Sequence, residues 1–332
     1  MPDSPVAACH AVRWTMVGHT CELQGGAATI PVMQQAMTVL HAKPVPQASA
    51  VPPGRIAPHE VALSSADSLW RVESCDSIRD PIHVPIHDAS TATEFATSPP
   101  QGWLLTHAVS GERRLCDSPD KVVQVTEFQA IADLVSRHPH VLTLHAALLG
   151  RDDRGVLVVG PQESGKSTLA TALWRQGWSL LGDDVAVINN AAGVSAEAAP
   201  RRVSLRSGSR PLLGEELWQR ITSTPSFMPT AEGCLFHPAE IDGPPAVRQP
   251  RLVAVVFLAR RGVQIGPAEW RSINPAEALL SLAPYSNVVR QGGMAEAFEK
   301  LQPLANRVPA FDLGRGPLED MIAAITRHVH LP

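Results

Sequence analysis

The stretch Gly160–Thr168 constrains the fold more than any other part of this 332-residue chain. It fits the pattern G-x-x-x-x-G-K-[ST], which needs a strand before it and a helix after it. The apolar run Gly155–Val159 precedes it and predicts a buried strand, and Leu169–Gly177 follows with the character of a helix. This context predicts a P-loop inside an α/β domain. Its predicted phosphate-binding residues are Gly160, Pro161, Gln162, Glu163, Ser164, Gly165, Lys166, Ser167 and Thr168.

A P-loop binds anions because its backbone N–H groups turn inward and the following helix adds partial positive charge at its N-terminus. In such a loop we expect Lys166 to reach the β- and γ-phosphates and the Ser167 hydroxyl to ligate Mg²⁺. The motif therefore predicts that the chain binds a nucleoside triphosphate, with ATP and Mg²⁺ as its cofactors.

The composition supports a globular protein without a nucleic-acid or membrane partner. The hydrophobic fraction is 44% and the formal net charge is −4, so nothing indicates nucleic-acid binding. No apolar run approaches the roughly 18 residues that a membrane-spanning helix needs. The N-terminal sequence lacks the features of a signal peptide, and the 5 cysteines are scattered, which favours reduced thiols in a cytoplasmic protein. Cys234 and His237 alone are too few to predict a zinc site.

Changes in composition predict three parts. Residues 1–58 are rich in proline and include a predicted loop or linker at Lys43–His59. Residues 59–125 carry short alternating segments and predict a small β-rich domain suited to substrate recognition. Residues 126–332 predict the α/β domain with the P-loop. The strands predicted in the middle part are Ser68–Glu73, Ile82–Ile86 and Trp103–Ala108.

The α/β domain begins with a predicted helix at Glu127–Ser136 and a predicted strand at Val141–Leu149. A turn over Asp152–Gly155 would join that strand to the P-loop strand as a hairpin. The remaining predicted elements are strands at Trp178–Leu181, Val185–Ile188, Val203–Leu205 and Leu252–Leu258, and helices at Glu277–Leu282, Met294–Ala305 and Leu318–His328.

Two adjacent carboxylates, Asp183 and Asp184, follow the P-loop lysine closely and stand at the end of a predicted strand. Beside bound phosphates, one can hold Mg²⁺ and the other can accept a proton from an attacking hydroxyl. The spacing also argues against two common P-loop classes. An ABC-type ATPase would need its signature motif and a more distant acidic strand end, and a GTPase would need an Asn-Lys-x-Asp guanine reader.

Three segments in this order resemble the catalytic domain of HPr kinase/phosphorylase, and more closely the HPr-kinase-related proteins of biosynthetic clusters, such as lasso-peptide serine kinases. They are Leu144–Ala147, which contains His145, the P-loop, and Arg175–Val185 with its Asp-Asp pair. The resemblance is clearest over Thr126–Ile188. It implies a P-loop kinase domain of the HPr-kinase/PEP-carboxykinase-like type, preceded by the smaller β-rich domain.

The resemblance implies a role for each matching residue. Lys166 would bind phosphate and Ser167 would ligate Mg²⁺. Asp184 would accept the proton of a substrate hydroxyl, and Asp183 would support the metal or the base. His145 would lie beside the phosphates, where it could hydrogen-bond an oxygen or orient the Asp pair. Members of the family often form oligomers, so the resemblance also implies a homo-oligomer.

The chain departs from the family's pattern at two places. Thr168 stands where the family has a Glu soon after the P-loop Ser, and the Arg-rich segment 201–210 lacks the family's later metal-ligating Glu. In addition, the loop that the family links to the reverse, phosphorylase reaction has no counterpart in this sequence, and the N-terminal region does not resemble that of the bifunctional enzyme. Reverse phosphorylase activity is therefore not expected, and HPr itself is not the expected acceptor. The predicted phosphate- or substrate-binding arginines are Arg202 and Arg206 from that segment, and Arg251, near the place of a later family Arg.

These observations predict a kinase that transfers the γ-phosphoryl group of ATP to a hydroxyl, with serine on a peptide or small protein as the leading acceptor. A ribosomally made peptide is a specific version of that acceptor. Two alternatives stay open. One is a kinase of a sugar or metabolite alcohol, and the other is a nucleotide-binding regulatory protein without transfer activity.

Overall fold

The structure is a computed structural model that divides into two compact units, Met1–Leu134 and Val135–Pro332. It describes residues 11–16, 19–25, 27–40, 43–44, 66–74, 102–191, 193–198, 202–241, 249–260 and 262–329. The predicted strand at 82–86 lies outside the described residues, as does most of the predicted loop over 43–59.

The first unit is built on one six-stranded sheet with the strand order β3-β1-β2-β4-β5-β6. Strands β2 and β4 are parallel, and the other neighbours are antiparallel. The Ser68 hydroxyl links His19, at 2.8 Å, to Asp133, at 2.7 Å, and so ties the sheet to α2. The elements are β1 (Ala11–Met16), β2 (His19–Gly25), α1 (Ile30–Leu40), β3 (Lys43–Pro44), β4 (Ser68–Ser74), β5 (Trp103–His107), β6 (Arg113–Cys116) and α2 (Pro119–Arg137).

This unit differs from the predicted division at residues 58 and 125. Strands β1 and β2 belong to the same sheet as β4 and β5, so residues 11–44 join the later segment in one unit. The predicted helix over Glu127–Ser136 begins earlier, at Pro119, and the division between the units falls inside it. Strand β2 is buried from Cys21 to Gln24, so polar and apolar residues alike lie inside, and in a proline-rich part of the sequence it carried no clear strand pattern.

The second unit contains the longer run of elements. They are β7 (Val141–Leu144), β8 (Ala146–Arg151), β9 (Arg154–Val159), α3 (Lys166–Arg175), β10 (Ser179–Gly182), β11 (Ala186–Asn189), β12 (Ser195–Ala198), β13 (Val203–Arg206), α4 (Arg210–Leu213), α5 (Glu215–Thr222), β14 (Met228–Pro229), β15 (Gly233–Phe236), β16 (Arg251–Leu258), β17 (Trp270–Ile273), α6 (Pro275–Leu282), α7 (Asn287–Arg307), β18 (Ala310–Leu313) and α8 (Leu318–His328).

A nine-stranded sheet forms the centre of this unit, with β9 between β8 and β16. Side chains alternate along β9 because successive residues of a strand point to opposite faces. Val156 and Val158 pack in one core with residues of α3 and α8, whereas Leu157 and Val159 pack in a second core with residues of α6 and α7. Apolar residues on both faces explain why this stretch of sequence reads as a continuous hydrophobic run.

The sequence predicted most elements around the P-loop. The β8–β9 hairpin is confirmed, with Leu148 opposite Leu157, and so is the helix Leu318–His328. The predicted single strand Val141–Leu149 is instead two strands that separate at His145. Strand β7 pairs with β11, whereas β8 pairs with β9 and β10. The residues from Val141 to Leu149 are mostly apolar, so a break at one residue does not change their hydrophobic pattern.

A three-stranded sheet in the order β13-β15-β14 accompanies the large one. Gly233 pairs with Arg206 where β13 and β15 come closest. A Cβ atom at Gly233 would lie 1.9 Å from the carbonyl oxygen of Leu205, which no other residue could tolerate without a backbone shift. Glycine at this position therefore allows the pairing that brings the turn before β15 beside the end of β13.

Candidate nucleotide-binding and phosphotransfer site

The loop 160–165 joins the end of β9 to the start of α3 by a tight turn. Two of its residues adopt left-handed backbone angles, Glu163 with φ 64° and Gly165 with φ 97°. Gly160 packs closely on the end of β16, where a Cβ atom would lie 2.6 Å from the Leu258 carbonyl oxygen. The loop thus turns tightly over the sheet edge, and the N-terminus of α3 begins at Lys166.

Lys166 is buried, with 6% of its surface exposed, and its ammonium group folds onto its own loop. Its Nζ donates to the carbonyl oxygens of Gly160 at 2.8 Å and Pro161 at 3.0 Å. Burial lowers the pKa of Lys166, and the negative charges of Asp184 and Asp183 act in the opposite direction. The lysine therefore lies in the electrostatic field of both predicted carboxylates.

A second observation also fits a phosphate bound in this loop. The Ser164 hydroxyl is buried and has no hydrogen-bond partner among the residues that the structure describes. A buried polar group without a partner is costly, and a ligand, ion or water can satisfy it. Phosphate oxygens at a P-loop supply acceptors for donors of this kind.

Asp184 and His145 form a pair just beyond the carboxyl ends of β10 and β7. Atom Oδ1 of Asp184 and atom Nδ1 of His145 lie 2.8 Å apart, and each side chain is 43% exposed. The backbone N–H of His145 donates to the Tyr285 carbonyl oxygen at 2.8 Å, which fixes the crossover between β7 and β8. The break in the predicted strand is thus the feature that brings His145 to Asp184, and the Nε2 atom of His145 points away from this contact.

Asp183 is in a different environment from its neighbour. It is 5% exposed, and its Oδ2 accepts a hydrogen bond from the backbone N–H of Ser204 at 3.0 Å. Asp183 therefore connects the end of β10 to β13. Among the described residues no group of three or more His, Cys, Asp or Glu side chains could hold a metal ion. A Mg²⁺ ion here would be held by the Ser167 hydroxyl and Asp183 together with phosphate oxygens, which the chemistry of Mg²⁺ at nucleotide sites allows.

The structure brings one of the three predicted arginines to the P-loop. Arg206 lies 3.1 Å from Glu163 in the loop. Arg202 instead contacts the sulfur of Met228 through Nη1 at 3.9 Å. Arg251 opens β16 opposite Arg154, at the end of the sheet away from the loop, whereas Val159 pairs with Phe257 beside it. Arg251 therefore lies at the end of its strand away from the loop.

Two residues near the P-loop were missed in the sequence. The Ser209 hydroxyl is buried and lies 2.7 Å from the Thr168 hydroxyl, so the segment after β13 rests on the first turn of α3. Glu232 lies 3.1 Å from Arg206. The sequence around Arg206 and Ser209 gives no sign of their contacts with Glu232 and Thr168, because both partners lie far away along the chain.

An ionic cluster around the buried Asp312 lies at the carboxyl ends of β16 and β18. We call its members Arg260, Asp312, Arg271 and Glu277 the Arg260 cluster. Asp312 is 1% exposed, and Arg260 donates to it through Nε and Nη2, each at 2.7 Å. Hydrogen bonding to Asp312 raises the pKa of Arg260. Burial opposes ionisation of Asp312, but hydrogen bonds from Arg260 and Arg271 outweigh it and lower the pKa of that carboxyl. Strand β18 is two strands from β9, so the cluster braces the same sheet edge from which the P-loop departs.

Comparisons with known proteins give a distant structural similarity and no sequence match. No protein family model matches the chain, and no curated protein matches it significantly. Among solved structures the chain is similar to the HPr(Ser) kinase/phosphatase from Coxiella burnetii, with 17% sequence identity and a TM-score of 0.30. The similarity covers 56% of this chain and 95% of that one. The described helices include none that combines the length and apolar character of a membrane span.

Proposed function

We propose that this chain is an ATP- and Mg²⁺-dependent kinase that transfers the γ-phosphoryl group to a hydroxyl, with serine on a peptide or small protein as the acceptor. The observation that carries the proposal is the pairing of Asp184 with His145 at 2.8 Å, within electrostatic reach of the P-loop lysine. Phosphoryl transfer needs an anion cradle, a cation beside the transferred group and a proton acceptor. The described site contains a candidate for each.

The proton acceptor is Asp184, which is exposed enough to meet a substrate and is oriented by His145. As the acceptor hydroxyl attacks the γ-phosphorus, its proton passes to the Asp184 carboxylate. The bond between the γ-phosphorus and the bridging oxygen breaks, and ADP carries away the electron pair. His145 contacts Oδ1 of Asp184 and so orients the carboxylate.

Lys166 supplies positive charge where it develops on the transferred group. In the present conformation its ammonium group bonds to two loop carbonyls, and a phosphate chain in the loop would offer it stronger, charge-assisted partners. Bound Mg²⁺ would supply further neutralisation of the phosphate oxygens. The first unit, with its six-stranded sheet, remains our proposed region for substrate recognition.

The acceptor class can be tested directly by mass spectrometry. Full-length protein is incubated with Mg-ATP and a library of short serine-containing peptides, beside a matched library with alanine at each serine and a panel of sugars and simple alcohols. We expect the mass gain of one phosphoryl group on serine peptides and none on their alanine counterparts. Phosphorylation of the small alcohols alone would replace the peptide with a small-molecule acceptor. Nucleotide binding without any transfer would contradict the kinase and favour a nucleotide-binding regulator.

A further inference from the structure

Arg206 is the cation that links the P-loop to the small three-stranded sheet. Its Nη2 atom lies 3.1 Å from Oε1 of Glu163 in the loop and 3.1 Å from Oε2 of Glu232 in the turn between β14 and β15. One guanidinium nitrogen therefore contacts two carboxylates from different parts of the chain. The side chains of all three residues are largely in solvent, 44% exposed for Arg206, 64% for Glu163 and 70% for Glu232.

Contacts of this kind are weak, because exposed ion pairs gain little energy in water and are screened by salt. A phosphate offers the same guanidinium a stronger partner. The planar guanidinium fork matches two phosphate oxygens, and charge-assisted bidentate bonds are among the strongest in proteins. Arg206 can therefore exchange its carboxylate partners for phosphate without the loss of a buried interaction.

The backbone of Arg206 is anchored by the pairing of β13 with β15 and by contacts of the residues that follow it, so we expect the exchange to involve a movement of the side chain. The backbone N–H of Ser207 donates to the Glu232 carbonyl oxygen at 2.9 Å, and its hydroxyl donates to the same oxygen at 3.1 Å. Three residues after Arg206, the contact of Ser209 with Thr168 holds the segment on the first turn of α3. A fixed backbone beside the loop pre-organises a ligand side chain, which reduces the entropy lost on binding.

We propose that Arg206 is a second phosphate ligand of the site, which Glu163 and Glu232 hold beside the P-loop until the phosphate chain of the nucleotide takes their place. The inference rests on the proposed function, because it requires a nucleoside triphosphate in the loop. It separates Arg206 from Arg202 and Arg251, which the sequence could not distinguish from it, and it gives the two glutamates a defined role as temporary partners.

The test compares variants in which the two glutamates are already neutral. Removing Arg206 alone would expose two unpaired carboxylates to the phosphates and weaken binding by repulsion, whatever the contacts of Arg206. The starting protein is therefore the full-length double variant E163Q/E232Q. The probe is Mg²⁺ with the non-hydrolysable β,γ-imido analogue of ATP, and the dissociation constant is measured by calorimetry.

In this background we expect Arg206→Ala to weaken nucleotide binding by about tenfold or more, the range for hydrogen bonds to charged groups. Arg206→Lys should restore only part of the loss, because Lys cannot form the bidentate contact. The matched control is Arg210→Ala in the same background, since Arg210 is also exposed, lies in the same segment and is paired with Glu215. Arg210→Ala removes one positive charge, as Arg206→Ala does. It should change the dissociation constant less than threefold, a margin of roughly 0.6 kcal/mol.

Equal dissociation constants with and without Arg206 in the E163Q/E232Q background would overturn the inference and leave Arg206 as a link between surface carboxylates. Equal losses from Arg206→Ala and Arg210→Ala would also overturn it, because the effect would then be long-range charge. Either result leaves the proposed kinase intact, since the wild type still binds nucleotide. A wild type that binds no nucleotide would overturn both proposals together.

Discussion

The variant Asp184→Asn is expected to lower the rate of phosphoryl transfer by about 10² to 10⁴-fold, the usual contribution of a positioned general base. The amide keeps the size of the carboxylate and can still accept a hydrogen bond from His145, which lies 2.8 Å away in the wild type. It cannot take the proton of the acceptor hydroxyl. The measurement is kcat in the mass-spectrometric transfer assay, with the dissociation constant of Mg-ATP measured on the same preparation.

A matched carboxylate-to-amide change controls for the loss of one negative charge. Asp153 lies in the turn between β8 and β9, at the end of β9 away from the P-loop, and its side chain is 81% exposed. Asp153→Asn should leave kcat unchanged. If Asp184→Asn retained wild-type kcat, Asp184 would not be the proton acceptor. A nucleotide dissociation constant that rose as much as kcat fell would assign Asp184 to nucleotide binding instead.

The variant Asp312→Asn is expected to destabilise the second unit by about 3 kcal/mol, the lower end of the range for breaking a buried ion pair, because Arg260 and Arg271 lose their shared carboxylate and keep only the partly exposed Glu277. In a unit of this size that loss should lower the midpoint of thermal unfolding by roughly 6 to 12 °C. The Asp312 side chain is 2% exposed and that of Arg260 is 14% exposed, so solvent replaces little of the missing charge. The measurement is a thermal melt of the full chain, followed by circular dichroism.

The pH dependence of the difference between Asp312→Asn and the wild type identifies its cause. Because the folded-state pKa of Asp312 is lowered, its stabilising contribution is present above the unfolded pKa of about 3.9 and is lost as the pH falls through the folded pKa. The difference in melting temperature should therefore shrink below about pH 4. Asp153→Asn, which alters an exposed carboxylate, should stay within about 0.5 kcal/mol of the wild type. A difference that did not vary with pH would contradict an ionic origin.

The sequence predicted those parts of the fold in which the signal is local. The strand–loop–helix around Lys166 follows from one motif, and the helix at Leu318–His328 follows from the spacing of its apolar residues. The sequence did not predict β1 and β2, because the surrounding prolines favoured an irregular segment. Strand β18 was also missed, because its place in the sheet depends on parallel pairing with β16, which lies far from it in the sequence.

The parts of the candidate site that could be predicted are likewise those with a local signal in the sequence. Lys166 and the Asp pair are close in sequence, and their spacing led to them. The distinct environments of Asp183 and Asp184 depend on Ser204 and His145, which reach them through strand pairing. The contact between Arg206 and Glu163 joins the end of β13 to the loop after β9, so no pattern within one segment could indicate it.

Binding of Mg-ATP to the wild type and to Lys166→Ala, measured by calorimetry, tests most directly the central claim that this loop holds a nucleoside triphosphate. The ammonium group of Lys166 is buried among loop carbonyls and would gain charge-assisted bonds from phosphate. The account predicts saturable one-site binding to the wild type and a dissociation constant at least tenfold higher for the variant, with unchanged circular dichroism. Equal affinities of the two folded proteins, or no binding to the wild type, would contradict it.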